Sequence, residues 1–127
     1  MKKFKLIDMK RLTRKEEELM KILWEMGKAF VKDILVKYPD LKPHYNTVSS
    51  LIRTLQEKRI IGFKSYGNTY EYFPLMSKEE YRKNYMRLII KDYFDNSYKM
   101  AVSFFINDDN IKSEELDEII ELIKKDR

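Results

Sequence analysis

Apolar positions recur along this 127-residue chain at two periods, and the alternation between them divides it into elements. Leu19, Ile22, Leu23 and Met26 repeat at helical spacing. Thr13 and Glu16 stand at capping-box spacing ahead of them, and Gly27 supplies a C-terminal stop. Trp24 lies off the centre of that stripe and reads as a second packing contact, with ligand stacking as the alternative. Ala29 and Phe30 suit a very short strand. Val31 to Tyr38 makes about two helical turns with Val31, Ile34 and Leu35 inward, ended by Pro39. Pro43 sits near the start of the next helix, where its missing N–H costs nothing. The period then changes to two. Phe63–Tyr66 and Thr69–Phe73 are rich in aromatic and β-favouring residues. Gly67-Asn68 between them is a two-residue hairpin signal, because both residues tolerate positive φ, and Pro74 closes the second strand.

The helix predicted over His44 to Ile61 organises the rest. Val48, Leu51, Ile52 and Leu55 form its apolar stripe. The opposite face carries Asn46, Ser50, Arg53 and Glu57, flanked by Thr47, Ser49 and Thr54. An ordinary solvent face is mostly Lys and Glu. Short polar side chains let a backbone approach another surface closely, and Asn, Ser, Thr and Arg are groups that address base edges and phosphates. A two-turn helix, a Pro-marked turn and this longer helix give a helix-turn-helix pattern, and the hairpin behind it gives a winged helix. A hairpin of this size is marginal alone and must pack on the helices.

From Ser77 the chain is helical again. Ser77 and Glu80 form a second capping-box start, and a long helix runs to about Asp95 with Tyr81, Tyr85, Leu88, Ile89 and either Tyr93 or Phe94 on one side. Asn96-Ser97 breaks it. A short apolar helix (SYKMAVSFFI), a polar turn and a last helix follow. The last helix, Ser113 to about Lys125, places Leu116, Ile119, Ile120 and Ile123 on one stripe; its acidic first turn and basic end match the helix dipole. About fifty residues are too few to bury both Phe104-Phe105-Ile106 and the last stripe on their own; they either fold back on the winged helix or pair with a second copy, and pairing is the expectation. The fold class is therefore mainly α with a small β-hairpin: residues 1–76 a winged helix-turn-helix, residues 77–127 a helical dimerisation region.

Charge follows that division. Residues 1–76 hold 16 Lys and Arg against 9 Asp and Glu; residues 77–127 hold 10 against 12, recovering the 26 and 21 of the whole chain. The basic part suits a polyanion and the acidic part does not. Residues 1–12 are basic, with Phe4, Leu6, Ile7 and Met9 in loose alternation, and read as an arm docked on the body or a tail on phosphates. The chain has no Cys and a single His, His44, which removes thiolate and multi-His metal sites and leaves no nucleophile–base pair. No cofactor and no small-molecule substrate are expected. The N-terminus has a basic start without an apolar segment, and no apolar run approaches a membrane span, so a soluble cytoplasmic protein is expected.

TRKEEELMKILWEMG, HYNTVSSLIRTLQEKRII, GNTYEYFPLMSKEEYRK and MAVSFFINDD, in this order and spacing, resemble the penicillinase-repressor family (BlaI/MecI, with the copper-responsive CopY repressors) over roughly residues 10–125. The resemblance implies a homodimeric winged-helix repressor on a palindromic operator. It also implies control by a membrane sensor with a metallopeptidase domain, which leads to cleavage in the helical tail at an Asn-Phe bond. The aligned bond here is Ser103-Phe104, and the missing Asn counts against cleavage there. The Cys pairs of the copper-responsive branch are absent. Arg59 stands where the family commonly has Gly, so either Arg59 takes a left-handed conformation or the helix ends differently.

The expected function is transcriptional repression by operator occlusion. Asn46, Ser49, Ser50 and Arg53 are the groove-facing candidates, His44, Tyr45 and Thr47 lie nearer the phosphates, and Lys64 and Asn68 belong to the wing. Tyr85, Leu88, Ile89, Phe104, Phe105, Leu116, Ile119, Ile120 and Ile123 are the candidate dimerisation residues. The rival from another class is a winged-helix module that docks a protein without sequence-specific DNA binding. An enzyme is a distant third, since nothing places paired carboxylates in an apolar pocket.

Overall fold

The structure is a computed structural model, and it describes residues 11–108 and 110–125. The expected N-terminal arm falls almost wholly on residues 1–10, outside the described residues. Among the described residues, six helices and one hairpin follow in the order α1 (Arg14–Met26), α2 (Val31–Val36), α3 (Tyr45–Glu57), β1 (Ile61–Tyr66), β2 (Thr69–Pro74), α4 (Lys78–Phe94), α5 (Tyr98–Ile106) and α6 (Ser113–Lys125). The chain packs as two compact units, Met1–Tyr85 and Met86–Arg127, which divide inside α4.

In the first unit α1 opens with a complete capping box. Glu16 N–H donates to Thr13 Oγ1 at 3.1 Å, and Thr13 N–H donates to Glu16 Oε1 at 2.9 Å, so two orphan amides are satisfied, for about 1 kcal/mol. Gly27 ends the helix at φ 82°. Leu19, Met20, Ile22 and Leu23 of α1 join Ile34 of α2 and Val48, Ile52 and Leu55 of α3 in the core, each withdrawn almost entirely from water. Each such side chain stabilises by roughly 1.5–3 kcal/mol. Ile60, Ile61 and Met76 close the core from the hairpin side. Met26, Val31, Leu35 and Leu51 are half-buried at its margin. Trp24 packs between elements, as the sequence suggested: its indole N–H donates to the Met76 carbonyl at 2.9 Å and its ring lies 5.5 Å from that of Tyr81.

The hairpin pairs Ile61 with Pro74 through Tyr66 with Thr69. Gly67 takes φ 61°, whereas Asn68 stays out of the left-handed region, the order of a type II′ turn, so only one of the two expected turn residues uses that freedom. Gly62 has a different role: a β-carbon there would meet the Phe73 ring at 2.8 Å. Ala29 forms a single bridge to Tyr72, with bonds of 2.9 and 2.8 Å in the two directions; the expected short strand is thus one residue long, and it stitches the hairpin to the entrance of α2.

Two expected boundaries shift. The central helix stops at Glu57 instead of Ile61, because Arg59 at φ 61° turns the chain out of it. The Arg59 and Ile60 amides donate to Gln56 and Leu55 carbonyls, both at 2.9 Å. That is a Schellman motif, and Ile60 and Leu55, which it joins, are both buried. The second helix ends at Val36, before Tyr38. Pro43 lies near the start of α3 as expected, directly ahead of the N-cap His44.

The second unit holds the rest of α4 with α5 and α6. The Ser77–Glu80 capping box forms at the start of α4 (3.0 and 3.5 Å), and Asp95 and Asn96 at φ 50° and 64° end the helix. Between the two aromatic candidates near that end, Phe94 is half-buried against Phe104, with centroids 5.8 Å apart, and Tyr93 is 70% exposed. Ser97 caps α5, and Ala101 is its one buried residue. On α6 no residue is buried, and Ile119, Ile120, Leu122 and Ile123 are all exposed.

Candidate nucleic-acid interface

α3 divides into two faces, as its sequence pattern requires. Val48, Ile52 and Leu55 are buried, while Asn46, Ser50 and Arg53 are exposed on the other side. Thr47 and Ser49 are half-buried at the flank. His44 caps the helix through its backbone, without a side-chain bond to the first turn. The leading amides of α3 therefore lack a side-chain cap and sit at the positive end of the helix dipole, which favours a negative group there. Tyr45, at 59% exposure, projects beside them. Thr54 is drawn back to the helix, its hydroxyl donating to the Ser50 carbonyl at 3.1 Å. The face presented outward is thus short side chains plus the one long cation Arg53.

The wing stands next to this face. Lys64 and Asn68 are both exposed, Asn68 at the tip. The Lys64 ammonium lies 5.2 Å from the Tyr66 ring centroid, a cation–π contact that orients it. Phe30, at the entrance to α2, packs edge-on against the Tyr66 ring, with centroids 5.9 Å apart. Between the start of α2, the start of α3 and the wing lies an open cleft of about 340 Å³, with Phe30, Lys32, Tyr45, Asn68, Tyr70 and Tyr72 among its lining residues. Tyr45 and Asn68 in that lining were expected near DNA. Phe30, Lys32, Tyr70 and Tyr72 were missed, because they lie on two stretches, the start of α2 and β2, that are about forty residues apart in the chain and meet only in the fold.

A second missed feature fixes α3 in place. Lys58, just past the end of α3, donates to both carboxylate oxygens of the buried Glu16 at 3.2 and 3.0 Å. The same carboxylate thus caps α1 and pins the end of α3. Burial pushes the Glu16 pKa up, but the Thr13 amide and Lys58 outweigh it and leave it below its ordinary value. No group of three or more His, Cys, Asp or Glu that could hold a metal occurs among the described residues. No helix among them is long and apolar enough to cross a membrane.

Three helices with a polar-faced third, followed by a β-hairpin wing, define a winged helix-turn-helix regulator. The family model described as "Penicillinase repressor" matches residues 12–125, and the chain belongs to the penicillinase-repressor family of DNA-binding transcriptional repressors. A solved structure titled "CopR Repressor Structure" is 28% identical; the match spans 54% of this chain and 100% of that one, with a TM-score of 0.45. No curated protein matches.

Proposed function

We propose that two copies of this chain bind a palindromic operator and repress by occluding it. The family match over residues 12–125 carries this reading. The N-terminal half of α3 enters the major groove, with Asn46, Ser49, Ser50 and Arg53 toward base edges. His44, Tyr45 and Thr47 lie nearer the phosphates, and Lys64 and Asn68 meet the flanking backbone from the wing. Asn suits adenine, and Arg suits guanine or a phosphate. One recognition helix reads only a few base pairs, so a two-fold dimer doubles the contacts and matches the symmetry of a palindrome.

Support for the dimer comes from the tail. Phe104 and Phe105 of α5 and Ile119, Ile120 and Ile123 of α6 are between 43% and 58% exposed in the single chain. An apolar set of that extent is characteristic of an interface rather than a solvent face. Leu88 and Ile89 of α4 and Leu116 of α6, half-buried in one chain, belong to the same proposed surface, and Tyr85 is a further pairing candidate on α4. Residues 1–76 are then the DNA-binding part and residues 77–127 the pairing part.

Control by a membrane sensor peptidase, which the family resemblance implies, has less support in this chain. The Ser103-Phe104 bond lies inside α5, and proteases favour exposed loops over helical backbone. The rival protein-docking module predicts no preference for the chain's own promoter. Footprinting upstream of its own gene, followed by gel shifts with wild type and Arg53→Ala over a salt series, tests the proposal. A protected two-fold site that Arg53→Ala weakens is the expected result. Unchanged specific and random binding by Arg53→Ala would show that the face is misassigned.

A further inference from the structure

We propose that the cleft between α2, α3 and the wing seats a phosphodiester group of the DNA backbone, with Lys32, Tyr45 and Tyr70 as its donors. The inference rests on the DNA-binding role and adds a contact outside the recognition helix. Six of the lining groups decide it. Lys32 brings a cation, Tyr45, Tyr70 and Tyr72 bring hydroxyls, Asn68 brings an amide, and Phe30 gives an apolar wall. None of the lining residues is acidic. Such a set matches an anionic oxygen cluster carried on an apolar sugar, and Lys, Tyr and Asn side chains are among the usual phosphate partners.

The cleft's position supports the same occupant. Tyr45 reaches it from the first turn of α3 and Asn68 from the tip of the wing. A strand that engages both of those elements runs past the space between them. The walls are also held before any ligand arrives. The Ala29–Tyr72 bridge fastens β2 to the residue before Phe30, and the Phe30 ring packs on Tyr66. Tyr70 is braced by Phe63 at 5.3 Å, edge to face. A preformed seat loses little entropy on binding.

The test uses the full chain and a short random-sequence duplex, with affinity measured by fluorescence anisotropy across a salt series. Lys32→Gln removes one charged phosphate contact, so the slope of log K against log salt should flatten by about 0.9. Between about 50 and 200 mM salt its affinity should then fall about 3.5-fold less than that of the wild type. Tyr70→Phe should weaken binding at every salt concentration with the slope kept, since a neutral donor releases no counterion. Lys37→Gln, exposed at the far end of α2, should keep the wild-type slope and so separate local contact from net charge. Thermal melts confirm that each variant is folded. A wild-type slope in Lys32→Gln overturns the cleft while leaving DNA binding intact. A wild-type protein that binds no duplex overturns the DNA-binding role and the cleft with it.

Discussion

Replacing Arg59 by Gly should stabilise the protein, although it deletes a charge and a long side chain. Arg59 sits at φ 61° directly after α3. Its amide and that of Ile60 close the two reverse bonds of the Schellman motif, both 2.9 Å, and that pair of bonds requires the left-handed conformation at Arg59. A residue with a β-carbon costs roughly 1–2 kcal/mol in that region. Glycine removes the cost but gives the unfolded chain more freedom, worth about 0.4–1 kcal/mol in the other direction. The balance is a gain on the order of 0.5–1 kcal/mol. Arg59→Ala is the control: it loses the same charge and keeps the β-carbon, so it should show no such gain. Urea unfolding of the three proteins at one matched concentration measures the difference, which amounts to a midpoint shift of about 0.3–0.5 M for a slope near 2 kcal/mol/M. If Gly and Ala behave alike, the backbone argument fails and the end of α3 is held by something other than this motif.

Arg53→Ala should cost about 1–3 kcal/mol on the specific site and relax the base preference where that side chain reaches; competition gel shifts against single-base variants read both. Lys64→Ala should weaken all sequences alike and flatten the salt slope by about one. Leu55→Ala, at a site with no exposure, should lose about 2–5 kcal/mol in denaturant titration. Glu16 has a lowered folded pKa, so its contribution is present above the unfolded value and disappears as pH falls through the folded one. Wild type should therefore lose more stability than Glu16→Gln between about pH 6 and about pH 3, as followed by urea midpoints. Ile120→Asp should shift the chain toward monomer in sedimentation and weaken the full operator more than an isolated half-site; an unchanged sedimentation coefficient would remove α6 from the interface.

Much of the fold was legible in the residues because its signals are local. Thr13 with Glu16 and Ser77 with Glu80 announce helix starts through bonds made within three residues. The buried stripe of α3 follows from a period that any helix must present to a core, and the polar face opposite follows with it. The hairpin needed only Gly67 and the aromatic runs around it.

What escaped the sequence depends on chain segments meeting. Glu16 and Lys58 lie 42 residues apart, and only the packing of α1 on α3 makes one carboxylate serve both helices. The cleft that gathers Lys32, Tyr45 and Tyr70 exists because the Ala29–Tyr72 bridge draws the wing to the entrance of α2. An Arg after α3 fits either a left-handed residue or a different helix end, and the fold takes the first, with the Arg59 and Ile60 amides bonded back into α3 and Ile60 buried in the core. Local preferences are written residue by residue, but which distant groups share a site is settled by burial of the whole core, and no spacing along the chain encodes that.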